Sequence, residues 1–171
     1  MSVIDSDPQT DQPDGVATLR VQRSGSVDVP RLRALLVDGA WLGQSVDDPT
    51  APPGLRRYLT DLVLPLPPDG RLLSFRKATL LDLGPVEPLG PDAIVVAVAW
   101  RSASLAPLFP VFAGRLEARP DGLTIEGRYA PPGGVVGRAA DRMLLHVAAR
   151  GTARWLLGHL ADGIDGAAPG A

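Results

Sequence analysis

The chain has 171 residues, of which 45% are hydrophobic and 21% charged, and a formal net charge of −2. That length and balance suit one soluble globular domain, and the charge leaves no electrostatic footprint for nucleic acid or an anionic membrane. With no cysteine, disulfides, thiolate catalysis and cysteine metal sites are excluded.

Residues 1–15 carry Asp5, Asp7, Asp11 and Asp14 with little to bury, and read as a disordered acidic tail. The start has neither a basic n-region nor an apolar h-region, and no apolar run approaches the roughly 20 residues of a membrane span. A cytoplasmic protein without membrane insertion is the expectation. A single domain is expected over 16–164, followed by a flexible tail over 165–171.

"VATLRVQR" alternates, with Ala17, Leu19 and Val21 on one face, and predicts a half-buried strand. Pro30 then suits a first helical turn, Leu32, Leu35 and Leu36 share a side, and Gly39 ends the helix. Trp41–Gly54 reads as loop, with a short helix expected over Gly54–Tyr58. "YLTDLVLPLP" and "RLLSFRKATLLDLG" predict two strands about a "PPDGR" turn. "DAIVVAVAW" is the strongest strand. Ile94, Val96, Val98 and Trp100 line one face and Ala93, Val95, Ala97 and Ala99 the other, so both faces are expected to be buried.

"PVFAGRLEA" and "LTIEGRYA" flank "RPDG" and predict an antiparallel hairpin with a two- or four-residue loop. The apolar pattern sets Ala118 opposite Leu123, Leu116 opposite Ile125 and Phe112 opposite Tyr129. The same register pairs Arg115 with Glu126, and places Gly114 opposite Gly127 as a dent in the inner face. From about Gly137 to Ile164 a long amphipathic helix is expected. Its apolar stripe is read through Ala140, Met143, Leu144, Val147, Ala148 and Trp155, and its polar stripe through Arg138, Arg142, His146, Arg150 and Arg154. Gly151 and Gly158 inside it suggest close packing or a bend.

The junction "RYAPPGGVVGRAADR" joins the last strand to that helix. A phosphate loop would want Gly-Lys-Ser/Thr and a following strand, and neither is present. Prolines that stop a ladder and glycines that allow a sharp turn make it a sheet-to-helix hinge. His146 and His159 are thirteen residues apart on one helix and face different directions, so no metal site is expected. No nucleophile elbow or triad can be proposed, and no catalytic residue is assigned. The arginine stripe reads as a solvated face.

The order of elements resembles the helix-grip fold of the START-like (SRPBCC) superfamily. "FRKATLLDLGPV", "IVVAVAWRS", "LFPVFAGRLEA", "LTIEGRYAPPGG" and "VGRAADRMLLHVAARGTARWLL" are similar to uncharacterised bacterial members. The resemblance implies an α+β fold in which a curved antiparallel sheet of six to seven strands wraps around the long C-terminal helix. Six strands are counted, so a seventh is either missing or hidden between Trp41 and Pro53. It also implies a hydrophobic cavity between sheet and helix.

The leading expectation is a non-catalytic protein that binds a small hydrophobic molecule, lipid or polyketide-like, without a cofactor. Its cavity would be lined by Trp100, Phe112, Gly114, Leu116, Ile125, Gly127, Tyr129, Met143, Val147 and Trp155. Arg76, Arg101 or Arg128 would serve as orienting donors at its mouth. The alternatives are a polyketide cyclase/aromatase-like enzyme, with Tyr58, Tyr129 or Asp82 moving protons, and a structural or protein-interaction module using the arginine face.

Overall fold

The computed structural model describes residues 16–49, 51–66, 73–103, 111–130 and 139–166, with side chains outside 62–66, 73–77, 130, 139–145 and 148. The N-terminal tail, the "PPDGR" turn, hinge residues 131–138 and the C-terminal tail from residue 167 lie outside the described residues.

The fold is α+β, with seven strands in one open antiparallel sheet and a long C-terminal helix. The strands are β1 (Ala17–Ser24), β2 (Gln44–Val46), β3 (Arg56–Leu66), β4 (Leu73–Gly90), β5 (Ala93–Ser102), β6 (Val111–Arg119) and β7 (Gly122–Ala130), and their order across the sheet is β1-β7-β6-β5-β4-β3-β2. The helices are α1 (Val29–Asp38) and α2 (Ala139–Asp165), with a single 3-10 turn at Ala40–Leu42. No helix among the described residues is long and apolar enough to cross a membrane.

Local chemistry accounts for the first helix. Asp28 caps α1 by accepting from the Arg31 backbone N–H at 2.9 Å, and Pro30 occupies the first turn. Gly39 ends it at φ 66°, donating its N–H to the Leu35 carbonyl. Leu32 and Leu36 are buried and Leu35 is partly buried.

The β6/β7 hairpin closes on the two residues Pro120 and Asp121, and its register matches the apolar pattern at every pair named above. Arg115 faces Glu126 in that ladder, but the ion pairs form elsewhere. Arg115 reaches Glu117 at 3.0 Å on its own strand, while Glu126 pairs with Arg20 of β1 at 3.7 Å.

Three expectations change. The seventh strand is β2, short and paired with β3 from Gln44↔Leu59 to Val46↔Arg57. The helix expected over Gly54–Tyr58 does not form. Gly54 turns at φ 80° and β3 begins at Arg56, because Arg57 stands opposite Asp82 and binds its carboxylate with both Nε (2.6 Å) and Nη2 (2.8 Å). The small-residue face of β5 is the outer one, with Ala97 exposed and Val95 and Ala99 half-buried.

A bulge at Gly84–Pro85 sets two residues of β4 against Ala97 of β5. Pro is tolerated there because the ladder is already interrupted, and the extra residue bends the strand. α2 makes its close approaches to β3 on one side of the sheet and to β1 and β7 on the other.

The buried stripe of α2 runs through Ala149, Thr152, Ala153, Leu156, Leu157, Leu160 and Ile164. It departs from the expected one at Val147, which is 37% exposed, and at Trp155, which is half-buried; the side chains of Ala140, Met143, Leu144 and Ala148 lie outside the described ones. Alanines carry part of the stripe, and they give little periodic signal against an Ala-rich background. Arg150 and Arg154 are exposed as expected. A methyl group at Gly158 would meet nothing within 4 Å, so that glycine marks no close packing, whereas one at Gly163 would press on Leu35 of α1.

These contacts give opposite expectations for two glycine-to-alanine changes. A methyl at Gly114 would stand 2.6 Å from the Gly127 Cα and 2.7 Å from the Phe112 ring, so Gly114→Ala is expected to destabilise by about 3 kcal/mol in urea unfolding. Gly158→Ala meets open space and is expected to stabilise by about 0.5–1 kcal/mol.

Candidate functional site

One row of inward side chains crosses the whole sheet at the end nearest the start of α2. The ladders place Ala17, Tyr129, Phe112, Trp100, Leu81, Tyr58 and Ser45 side by side, one from each strand. The five central members are buried, and four of them are aromatic. Period-2 alternation aims them at the layer between sheet and helices.

Trp100 and Phe112 stack with ring centroids 3.8 Å apart and planes 13° apart. The next row of the sheet contains Gly127 and Gly114 as direct partners. A methyl on either would lie 2.7 Å from the Phe112 ring tip. The dent expected for a ligand is therefore filled by Phe112, whose ring leans over both glycines. Leu116 and Ile125, one row further on, are also fully buried in the core.

The row is tied to the helices at both ends. The Tyr129 hydroxyl lies 3.0 Å from Nδ1 of His146 on α2. Burial raises the Tyr129 phenol above its ordinary 10.0, and which of the two groups donates in this contact is set by the imidazole tautomer. At the other end the Tyr58 hydroxyl abuts Gly39, where a side chain would collide with the ring. Tyr58 is thus a packing residue at the α1 C-cap.

Two polar atoms in this interior lack partners among the described residues. Trp100 Nε1 and Thr152 Oγ1 are buried without a hydrogen bond, and each residue is 1% exposed. An unmade hydrogen bond at a buried donor costs about 1–3 kcal/mol. Trp100 presents its N–H from the sheet side, and Thr152 lies on the buried stripe of α2. The only buried polar residues among those described are Thr152 and Thr79, with no buried charge.

Several expected site residues lie elsewhere. Arg101 and Arg128 are exposed and alternate with the inward Trp100 and Tyr129, so they project from the outer face and cannot orient a molecule inside. Val147 is on the exposed side of α2. Trp155 stacks on His159 at 4.7 Å and 20°, with Trp41 6.0 Å from the same imidazole, in a cluster beside α1. Trp41 also donates its indole N–H to the Leu35 carbonyl at 2.9 Å. Arg76 falls in β4 opposite Val63, and Met143 in the first turns of α2; their side chains lie outside the described ones.

Asp82 is likewise committed. Its carboxylate takes both Arg57 bonds, and Arg57 also reaches Asp48, closing the β2 side of the outer face. Hydrogen bonding to Asp82 raises the Arg57 guanidinium further above its ordinary value. Outside the interior, a polar recess of about 350 Å³ lies by the β6/β7 turn, lined by residues that include Arg20, Arg23, Glu117, Arg119 and Asp121. Its charges are mixed, and Arg119 pairs with Glu117 at 3.7 Å. Among the described residues no group of three or more His, Asp or Glu could hold a metal ion.

The aromatic members of the row are recognisable in the sequence, whereas His146 falls on a polar stripe and the unpartnered Thr152 carries no signal. No protein-family model matches the chain, and no curated protein matches it.

The raised Tyr129 phenol keeps its proton where the unfolded chain has lost it. Its contribution to stability is complete below about pH 10 and is lost as pH rises through the folded value. In Tyr58→Phe, which leaves Tyr129 as the sole tyrosine of the two in the chain, ultraviolet titration is expected to show phenolate forming above the ordinary 10.0.

Proposed function

We propose that this chain is a START-like helix-grip protein that binds a small, largely apolar molecule between the inner face of the sheet and α2. The observation that carries this reading is the buried aromatic row from Tyr129 to Tyr58, with the Trp100 indole N–H unpartnered in its middle. Apolar and aromatic lining with few polar groups is the usual composition of a small-molecule site. The approach of α2 to β3 on one side and to β1 and β7 on the other supports a helix held by the two flanks of a curved sheet. Bulging at Gly84–Pro85 supports the same curvature.

In the closed form the row is packed, with Phe112 at 0% and Trp100 at 1% exposure. Entry therefore involves separation of α2 from the row, and the two unpartnered polar atoms lower the cost of that opening by leaving the closed state less stable. The molecule then replaces contacts between side chains with contacts to itself. A cytoplasmic location fits this reading.

The Tyr129–His146 pair favours a second reading, an enzyme acting on polyketide-like substrates. A phenol held by an imidazole can pass a proton to a carbonyl oxygen in the same interior. Under this reading Tyr129→Phe keeps binding and abolishes turnover; under the first it changes neither product nor flux.

The neutral fluorophore N-phenyl-1-naphthylamine tests the binding reading. Saturable one-to-one fluorescence enhancement is expected, weakened at least fivefold when Leu156→Trp fills the interior. No enhancement in the folded chain would contradict it.

A further inference from the structure

We infer that the molecule held between the sheet and α2 is neutral and oxygenated, carrying a carbonyl or hydroxyl oxygen that accepts the Trp100 Nε1 hydrogen bond and meets Thr152. This rests on the binding reading and narrows its ligand class. An indole nitrogen is a donor only, so its missing partner is an acceptor. A threonine hydroxyl both donates and accepts, so it serves a carbonyl or an alcohol equally. Both residues are 1% exposed, and neither polar atom finds a partner among the described residues.

Among the described residues no charged side chain is buried with them, which favours a neutral over an anionic oxygen. The two arginines nearest in sequence to the row, Arg101 and Arg128, are exposed on the outer face. Among the described residues the buried polar side chains are Thr79 and Thr152, with no buried cation. Among the described side chains of α2, His146 faces the row, with its Nδ1 engaged by Tyr129. A carboxylate brought into this layer would lose its hydration without gaining a counter-charge. Ketones, quinones, alcohols and sterol-like molecules fit the arrangement; free fatty acids do not.

The Phe112 ring adds a shape requirement. It stacks on Trp100 and rests on Gly114 and Gly127, so its own position is fixed from both sides. With that ring fixed, a ligand oxygen must reach Nε1 without displacing the stacked pair. Flat molecules that slide between α2 and the stacked pair meet this condition with the least displacement.

Three naphthalenes of one shape supply the test on the intact protein: 2-acetylnaphthalene, 2-ethylnaphthalene and 2-naphthoate. Calorimetric binding is expected to favour the ketone over the hydrocarbon by about tenfold, the worth of one buried hydrogen bond, and over the carboxylate by more. The ketone is expected to move the Trp100 indole N–H proton downfield in a nitrogen-15 correlation spectrum of the unmutated chain. Trp100→Phe and Thr152→Val should each reduce ketone binding by a larger factor than hydrocarbon binding.

Equal binding of ketone and hydrocarbon, or an unmoved Trp100 resonance at saturating ketone, would overturn the polar assignment while leaving the binding site standing. Tightest binding by 2-naphthoate would overturn the neutral assignment. A Trp100 N–H found bonded to an internal water that persists in the ketone complex would also overturn it. Failure of all three probes to bind would overturn this inference together with the binding reading beneath it.

Discussion

The seat of Phe112 on two facing glycines is the constraint around which the sheet interior is arranged. Gly114 and Gly127 are direct partners across the β6/β7 ladder, and neither has room for a methyl group. Their missing side chains let the Phe112 ring lie down along the sheet, where it also stacks on Trp100 of β5. A stacked aromatic pair contributes about 0.5–1.5 kcal/mol beyond its buried area. Its larger effect is geometric, since it fixes the orientation of the Trp100 indole and therefore of the unpartnered N–H.

From that pair the aromatic row extends in both directions and meets a helix at each end. Tyr129 reaches α2 through His146, and Tyr58 abuts Gly39 at the end of α1. α1 is in turn held to α2 by Leu35 against Gly163. The interior is thus bounded by the sheet below and by two connected helices above. Polar chemistry is concentrated on the opposite, outer face, in the Arg57–Asp82–Asp48 cluster and the exposed arginines. Such a division suits a protein whose inner layer receives apolar molecules and whose outer layer stays in water.

How much of this is legible in the sequence depends on whether each signal is local. The hairpin register follows from alternation, because a one-residue slip would expose Leu116, Ile125 and Phe112 together. α1 is legible in Pro30 and Gly39. β2 is obscure because Gln44–Val46 offers a single apolar residue, and its place depends on β3. The start of β3 reads wrongly because Arg56 and Arg57 carry no strand signal; the carboxylates of Asp82 and Asp48 that explain Arg57 come from distant positions. Part of the α2 stripe is displaced because Ala149, Thr152 and Ala153 give a weaker apolar signal than the exposed Val147. Of the candidate site, the aromatic members are legible as apolar residues on strands. The Tyr129–His146 contact and the outward direction of Arg101 and Arg128 need the tertiary arrangement.

The central claim is that the layer between the aromatic row and α2 accepts a molecule in place of its own packing. Native mass spectrometry of the protein purified without denaturant addresses it most directly. The account predicts a discrete, neutral, low-mass adduct at one per chain, released on unfolding and lost when Leu156→Trp fills the interior. A bare chain that stays bare after incubation with neutral apolar extracts would contradict it.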